Sequence, residues 1–132
     1  MMRYAIDAAT ALRLVREGSD ADTRHQLVAP SVLRSHALSM LYRDVRAGAI
    51  TDADGRQQLE GLAGLKLRLL GDRVSRAVAW KLAAQLGWQD TPRAEYLAVA
   101  SLQADALIAA DDELASAAAG IVALAHYEDL RA

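Results

Sequence analysis

Short apolar segments, each too short for a typical helix, alternate along this chain with segments of helical periodicity. One of them, Arg3–Ile6, ends at Asp7, and another, Ala106–Ala110, ends at Asp111. Strands that are apolar along their whole length and are separated by helices are typical of a parallel sheet covered on both faces. The pattern therefore predicts a three-layer α/β/α fold with a short central parallel sheet.

The predicted elements begin and end at residues that favour such boundaries, with Ser, Thr or Asp before helices and glycine after them. We predict strands over Arg3–Ile6, Gln26–Ala29, Leu65–Leu70, Ala106–Ala110 and Ile121–Leu124. The Leu65–Leu70 segment is also compatible with a helix. We predict helices over Thr10–Glu17, from Ser31 to Ala47, from Thr51 across Leu62, from Asp72 to Leu86, from Thr91 to Gln103 and over Glu113–Ala119. A polar loop is expected over Ser19–Arg24. No linker-like stretch divides the chain, so residues 1–132 are treated as one domain.

The composition is that of a soluble globular domain without disulfides or thiol chemistry. The 132 residues are 53% hydrophobic and 24% charged, and they include no cysteine. No apolar stretch approaches the roughly 20 residues that cross a bilayer, and the charged start of the chain differs from a signal peptide. We therefore expect a cytoplasmic protein without a membrane segment. Because 15 basic residues face 17 acidic ones, composition alone does not indicate nucleic-acid binding.

Acidic residues directly follow two of the predicted strands. Asp7 follows the first strand, and Asp111 and Asp112 follow the strand at Ala106–Ala110. The carboxyl ends of parallel strands meet at one edge of a sheet, where ligands collect. Paired carboxylates suit Mg²⁺ or Mn²⁺, which activates water and neutralises a phosphodiester. The alternative is that these acids are loop residues or helix N-caps, and for Asp112 an N-cap is the expected role.

Several segments resemble, in order and spacing, one known family of nucleases. They are RYAIDAATAL, LVAPSVLRSHALSML, EYLAVASLQADALIAADDELASAA and the closing IVAL. Together they span nearly the whole chain and resemble the PIN domain of VapC toxins from bacterial toxin–antitoxin pairs. The resemblance implies a PIN-like fold, metal-dependent cleavage of RNA with Mg²⁺ or Mn²⁺, a homodimer, and inhibition by a small antitoxin protein.

Only half of the family's acidic site is carried over to this sequence. The family's first acid falls on Asp7, and its acid after the penultimate strand falls on Asp111. The second acid, typically Glu, falls on His36, and the third falls on Arg93. A Ser or Thr that commonly stands two residues before the strand-end acid is Ala109 here. Two of four carboxylates are therefore missing, and one is replaced by the opposite charge.

His36 shares a helical face with Leu33, Ala37 and Met40. Its ordinary role would be that of a partly buried histidine bonded to a backbone or carboxylate group. As a metal ligand, a neutral imidazole suits Mn²⁺ better than Mg²⁺. Glu95 is expected to be a surface acid rather than a replacement for the missing carboxylates.

Arg93 lies in the first turn of a predicted helix, where the helix dipole disfavours a cation, so an acidic partner is expected. Either the side chain pairs with Asp90 or solvent, or its guanidinium reaches Asp7 and Asp111 and takes the place of the metal ion. With His36 neutral, the total charge of the site is about −1 here, compared with about −4 in the family. One contact between Arg and Asp near 4 Å contributes roughly 4 kcal/mol of Coulomb energy at an effective dielectric of 20, before the cost of desolvation. We therefore expect weak or absent binding of divalent metal.

Three functions remain open from the sequence. The chain is an active ribonuclease toxin that uses Mn²⁺ or Mg²⁺ at Asp7 and Asp111, with His36 or Asp112 as a further ligand. Alternatively, it is a PIN-like protein that has lost its nuclease centre and binds a protein partner or RNA without cutting. The third alternative is a dimeric scaffold without a role in RNA binding. The substitution of two site acids favours the second function.

Partner surfaces are only weakly indicated. Trp80, Trp88 and the leucines between Leu59 and Leu70 are expected mostly in the core, and if exposed they would form a dimer or antitoxin interface. Five arginines either flank an RNA path or form a solvated, ion-paired surface. These are Arg34, Arg43, Arg46, Arg73 and Arg76.

Overall fold

The computed structural model describes residues 1–18 and 24–131. Apart from Arg24, the loop predicted over Ser19–Arg24 lies outside these residues. The strands of the described part are β1 (Arg3–Ile6), β2 (Gln26–Pro30), β3 (Arg68–Leu70) and β4 (Ala106–Ile108). The helices are α1 (Ala8–Glu17), α2 (Val32–Arg46), α3 (Asp52–Ala63), α4 (Arg73–Leu86), α5 (Pro92–Gln103) and α6 (Asp112–Ala118). A 3₁₀ turn spans Tyr127–Arg131.

The four strands form one parallel sheet in the order β3–β2–β1–β4. Strands β2 and β3 are added in turn on one side of β1, and β4 then pairs with the other side of β1. Because parallel crossovers are right-handed, α1, α2 and α3 cover one face, and α4 and α5 cover the other. In agreement, α5 packs on β1 and β2, and the first three helices pack on one another. The predicted three-layer α/β/α fold is confirmed.

The core explains why the strands are apolar along their whole length. Ile6 of β1 and Leu107 of β4 have no exposed surface. Leu33 of α2 and Leu97 of α5 are equally buried and belong to the same apolar cluster, although they come from opposite helix layers. Each strand therefore meets side chains on both faces, and burial of this kind supplies the main favourable free energy of folding.

The segment Leu65–Leu70 contains a strand, as predicted, but only its second half pairs with the sheet. The strand covers Arg68–Leu70 and lies at the edge of the sheet beside β2. Leu65 still belongs to the turn that ends α3, because its backbone N–H donates to the Leu62 carbonyl oxygen. The helix alternative for this segment is wrong.

The prediction of a strand over Ile121–Leu124 is wrong. This segment contributes a single parallel bridge, between Leu124 and Leu107 of β4. The chain turns directly afterwards, since the His126 backbone N–H donates to the Asp129 carboxylate and the 3₁₀ turn begins. A local side-chain bond therefore ends the pairing after one residue.

Two of the predicted helix caps form hydrogen bonds, and two do not. Thr51 accepts from the Asp54 backbone N–H, and Asp72 forms a capping box with Ser75. Ser31 and Thr91 precede their helices as predicted, but neither side chain accepts a capping bond. Both residues already have helical backbone angles, whereas a side-chain cap needs an extended backbone at this position.

Trp80 lies on the surface, so the prediction that it belongs to the core is wrong. Its side chain is 75% exposed. Helix α4 packs on α5 through small residues, and the tryptophan lies on the outward face. These small residues are Ala79, Ala83, Ala94 and Ala98, and half-buried Trp88 packs against them. Within residues 1–18 and 24–131, no helix is long and apolar enough to cross a membrane.

Helix α3 approaches α1 closely at Gly61, and this contact predicts an intolerance of side chains there. A Cβ at Gly61 would lie 2.6 Å from Cγ1 of Val15, whose branched side chain has little rotamer freedom. We expect Gly61→Ala to lower the free energy of unfolding by about 1–2 kcal/mol, because overpacking outweighs the gain in helix propensity. Urea unfolding measures this change.

The matched control is Gly64→Ala at the end of the same helix. A Cβ there would meet only the Gly61 carbonyl oxygen, at 3.7 Å, so the change should stay within about 0.5 kcal/mol. Equal stability of the two variants would contradict the close approach of α3 to α1.

Candidate functional site at the carboxyl edge of the sheet

The carboxyl ends of β1 and β4 lie side by side, because the strands pair in parallel with Ile6 opposite Ile108. Asp7 directly follows β1, and Asp111 follows β4 after a short connection. The Asp111 backbone N–H donates to Oδ2 of Asp7 at 2.9 Å. The structure thus brings together the two acids that the sequence places at one edge of the sheet.

Asp7 is a buried N-cap with both carboxylate oxygens occupied. The residue is 2% exposed, and its Oδ1 accepts from the Thr10 backbone N–H at 2.8 Å while Oδ2 accepts from Asp111. The Thr10 hydroxyl donates in turn to the Ile108 carbonyl oxygen. A buried carboxylate requires such charge-assisted bonds. Asp7 therefore fastens the start of α1 to the chain that follows β4.

Arg93 forms an ion pair with Asp111 beside this cap. Its Nε donates to Oδ2 of Asp111 at 2.6 Å, and its Nη2 lies 3.3 Å from Oε2 of Glu113. The expected contact with Asp111 is present, but the second partner is Glu113 rather than Asp7. Each oxygen of Asp7 accepts a backbone N–H group, and Glu113 extends from the first turn of α6 to Nη2 of Arg93.

The acidic neighbours explain why α5 tolerates a cation in its first turn, where the helix dipole disfavours one. The hydrogen bond to Asp111 raises the pKa of Arg93, and the charges of Glu113 and Asp90 act in the same direction. The side chains of Arg93 and Asp111 are 38% and 29% exposed, so water screens the pair. The pair orients the guanidinium across the site and adds modestly to stability.

His36 is held by a tyrosine hydroxyl rather than by a carboxylate or backbone group. Its Nδ1 lies 3.0 Å from the Tyr96 hydroxyl oxygen, and the Ala8 backbone N–H acts to lower the pKa of that hydroxyl. Burial and the charge of Asp7 raise the pKa of Tyr96, so the hydroxyl keeps its proton. In one tautomer of neutral His36 the hydroxyl donates to Nδ1 and the ring proton resides on Nε2; in the other, Nδ1–H donates to the hydroxyl oxygen.

The surroundings of His36 favour its neutral form. Burial lowers the pKa of His36 most, and the positive charges of Arg43 and Arg93 lower it further. Asp7 and Asp111 act in the opposite direction but do not reverse the shift.

These side chains line a cavity of about 250 Å³. The charged and polar part of its wall consists of Asp7, Asp111, Arg93, His36, Tyr96 and Arg43. The sequence analysis treated Arg43 only as one arginine of a basic surface. Its spacing of seven residues from His36, two turns of one helix face, is the signal that would have placed it here. Tyr96 was not singled out for the site, although its spacing of three residues from Arg93 places both on one helix face.

The remaining acids of the sequence analysis lie away from the cavity wall. Asp112 is the first residue of α6 and is exposed. The N-cap of this helix is Asp111, so the prediction of Asp112 as the cap is wrong. The Asp111 side chain makes no capping bond, because its Oδ2 accepts from Arg93. Glu95 is half-buried, and burial raises its pKa.

The donor set at this edge offers a Mg²⁺ or Mn²⁺ ion two carboxylates, one of which pairs with a guanidinium. Both ions prefer oxygen ligands, and Mg²⁺ completes its octahedron with water. Both oxygens of Asp7 accept backbone N–H groups, and Oδ2 of Asp111 accepts from Arg93. No three or more His, Asp or Glu side chains of the described residues cluster as a metal site requires. The position next to the carboxylates is taken by a guanidinium.

Comparison with known proteins finds a similar fold but gives no information on activity. No protein-family model and no curated protein matches this chain. Among solved structures, the chain is similar to the crystal structure of PAE2754 from Pyrobaculum aerophilum, with a TM-score of 0.72 and 21% sequence identity. The likeness covers 98% of this chain and 93% of that chain. At this identity, the likeness supports the fold alone.

The bonds of Asp7 predict that this residue is needed for stability apart from any activity. We expect Asp7→Ala to lower the free energy of unfolding by about 2–4 kcal/mol, through loss of a helix cap and an unpaired N–H on Asp111. Urea unfolding tests this value. The control Asp112→Ala, at an exposed acid of the same sheet edge, should change stability by less than about 0.5 kcal/mol. Similar losses in both variants would refute the structural role.

The lowered pKa of His36 predicts a specific loss of stability in mild acid. The unfolded chain takes up a proton on this histidine near pH ~6.5, while the folded protein resists protonation to a lower pH. The unfolding free energy should therefore fall as the pH drops below ~6.5. His36→Gln removes this titration, so between pH 7.5 and 5.5 the variant should lose less stability than the wild type. Parallel pH profiles would show that His36 does not contribute.

Proposed function

We propose that this chain is a PIN-like protein, of the VapC type, in which an internal ion pair has replaced the metal ion. In this proposal the protein binds its partner without metal-dependent cleavage of RNA. The observation that carries the proposal is the contact of 2.6 Å between Nε of Arg93 and Oδ2 of Asp111. A guanidinium at this distance neutralises the carboxylate and occupies the space beside its Oδ2.

The charge of the cavity wall supports the proposal. Two carboxylates, Asp7 and Asp111, face two guanidiniums, Arg43 and Arg93, and His36 is held neutral. These formal charges cancel, whereas the family's four-acid site carries about −4. A divalent ion would lose most of the electrostatic attraction that offsets its dehydration.

The state of His36 further weakens the case for a metal. A metal ligand must offer a nitrogen lone pair. When the Tyr96 hydroxyl donates to Nδ1, Nε2 carries the proton of the neutral ring. Ligation through Nε2 would first require the other tautomer of the ring, in which Nδ1–H donates to the Tyr96 hydroxyl oxygen.

An active ribonuclease is the second candidate, favoured by the adjacency of Asp7 and Asp111 at the carboxyl edge. Asp111 also remains 29% exposed in its side chain. This candidate requires Arg93 to leave Asp111, and a metal ion would then supply the charge that activates water. The scaffold alternative is favoured by large apolar side chains on the surface, among them Trp80 at 75% and Tyr42 at 64% exposure.

The deciding experiment compares metal binding by the wild type and by a variant with restored acids. A ligand that binds only the folded state stabilises it by RT ln(1 + [L]/Kd). We expect millimolar Mn²⁺ to leave the Tm of the wild type unchanged and to raise the Tm of the double variant His36→Glu, Arg93→Asp. Calorimetric titration gives the corresponding affinities.

Two comparisons make this result specific. Adding Asp111→Asn to the double variant should abolish its response to Mn²⁺, because a central carboxylate is lost. The wild type should also leave a mixed-sequence RNA uncut in Mn²⁺. A Tm shift in the wild type, together with RNA cleavage that Asp111→Asn abolishes, would overturn the proposal in favour of the active nuclease.

A further inference from the structure

We propose that the cavity at the carboxyl edge binds the phosphate group of a small phosphate monoester. The inference rests on the proposed function, because it takes Arg93 to stand where a metal ion would otherwise be. The cavity would then receive an anion on the side from which a nuclease of this fold receives a cation.

Arg43 is the main reason for this assignment. Its side chain lines the cavity, and among residues 1–18 and 24–131 it has no carboxylate partner. An arginine presents five N–H donors in a planar fork that matches the oxygens of a phosphate. A guanidinium without a partner at the wall of a small cavity is therefore available to an oxyanion.

Two further donors converge on the same space. Arg93 uses Nε for Asp111 and Nη2 for Glu113, which leaves the N–H groups of Nη1 without a carboxylate partner among the described residues. In the tautomer in which Tyr96 donates to Nδ1, Nε2 of His36 is a donor in the neutral ring. Arg93, His36 and Arg43 all line the cavity, so one tetrahedral anion would find donors from α2 and α5.

The carboxylates of the wall are compensated before any ligand arrives. Asp7 is 2% exposed and receives two backbone N–H bonds, and Asp111 is paired with Arg93. The formal charges of the wall sum to zero, and Arg43, which has no carboxylate partner among the described residues, offers an anion a charge-assisted interaction.

The size of the cavity limits the ligand. Its volume of about 250 Å³ is below the roughly 300–1,000 Å³ of pockets that enclose drug-sized molecules. A phosphate group with a few attached atoms fits this volume. A larger phosphorylated molecule would extend past exposed Arg43 into solvent.

The test measures the Tm while inorganic phosphate is titrated against sodium chloride at matched ionic strength. We expect a saturable rise of a few degrees in phosphate that chloride does not produce. Arg43→Gln should weaken phosphate binding about tenfold, the effect of losing one charge-assisted hydrogen bond. Arg43→Lys keeps the charge without the planar fork of donors, so its affinity for phosphate should lie between those of the wild type and of Arg43→Gln.

The matched control is Arg34→Gln, which removes an exposed arginine of the same helix that does not line the cavity. It should leave phosphate binding unchanged. Equal weakening by Arg34→Gln and Arg43→Gln would reveal general attraction to the surface and would overturn the site. A nucleoside 5′-monophosphate should bind and the nucleoside should not. Equal binding of both would refute recognition of the phosphate.

The same samples separate this inference from the proposed function. If neither Mn²⁺ nor phosphate stabilises the wild type, the phosphate site is wrong, and the replacement of the metal ion by Arg93 stands. If Mn²⁺ binds the wild type at Asp111, both the proposed function and the phosphate site fail.

Discussion

The doubly bonded carboxylate of Asp7 is the interaction on which the arrangement of this sheet edge depends. Its two oxygens join the start of α1 at Thr10 to the backbone of Asp111 after β4. These bonds fix the position of Asp111 and give each oxygen of Asp7 a backbone donor. Arg93 meets Asp111 and Glu113 and does not bridge the two strand-end acids.

Much of the fold could be predicted from the sequence because local sequence patterns indicate where the strands and helices lie. The strand at Arg3–Ile6 and the helix cap at Asp72 depend on residues within a few positions in the sequence. The segment Ile121–Leu124 could not be judged in this way. Its composition suits a strand, but the bond from His126 to Asp129 turns the chain away after one bridge, and composition alone does not show which of the two local patterns prevails.

The candidate site was predictable in position and less so in its bonds. Strand ends and helix faces place Asp7, Asp111, His36 and Arg93 around one cavity. Which oxygen each donor meets depends on distances of a few tenths of an ångström between elements far apart in sequence. Sequence periodicity does not carry that information, so the partner Glu113 and the hydrogen bond of His36 to a tyrosine became visible only in the structure.

A guanidinium and a divalent ion differ in the groups that they offer to a ligand, and both proposals depend on this difference. A bound metal concentrates two charges at a point and lowers the pKa of its water, which makes it a catalyst of hydrolysis. A guanidinium spreads one charge over a plane and has no water to activate, but it extends N–H donors beyond the carboxylate it neutralises. In the proposed function, Arg93 on Asp111 takes the place of the ion that would cleave a phosphodiester. In the phosphate proposal, Arg93 and Arg43 supply the donors that would hold the phosphate.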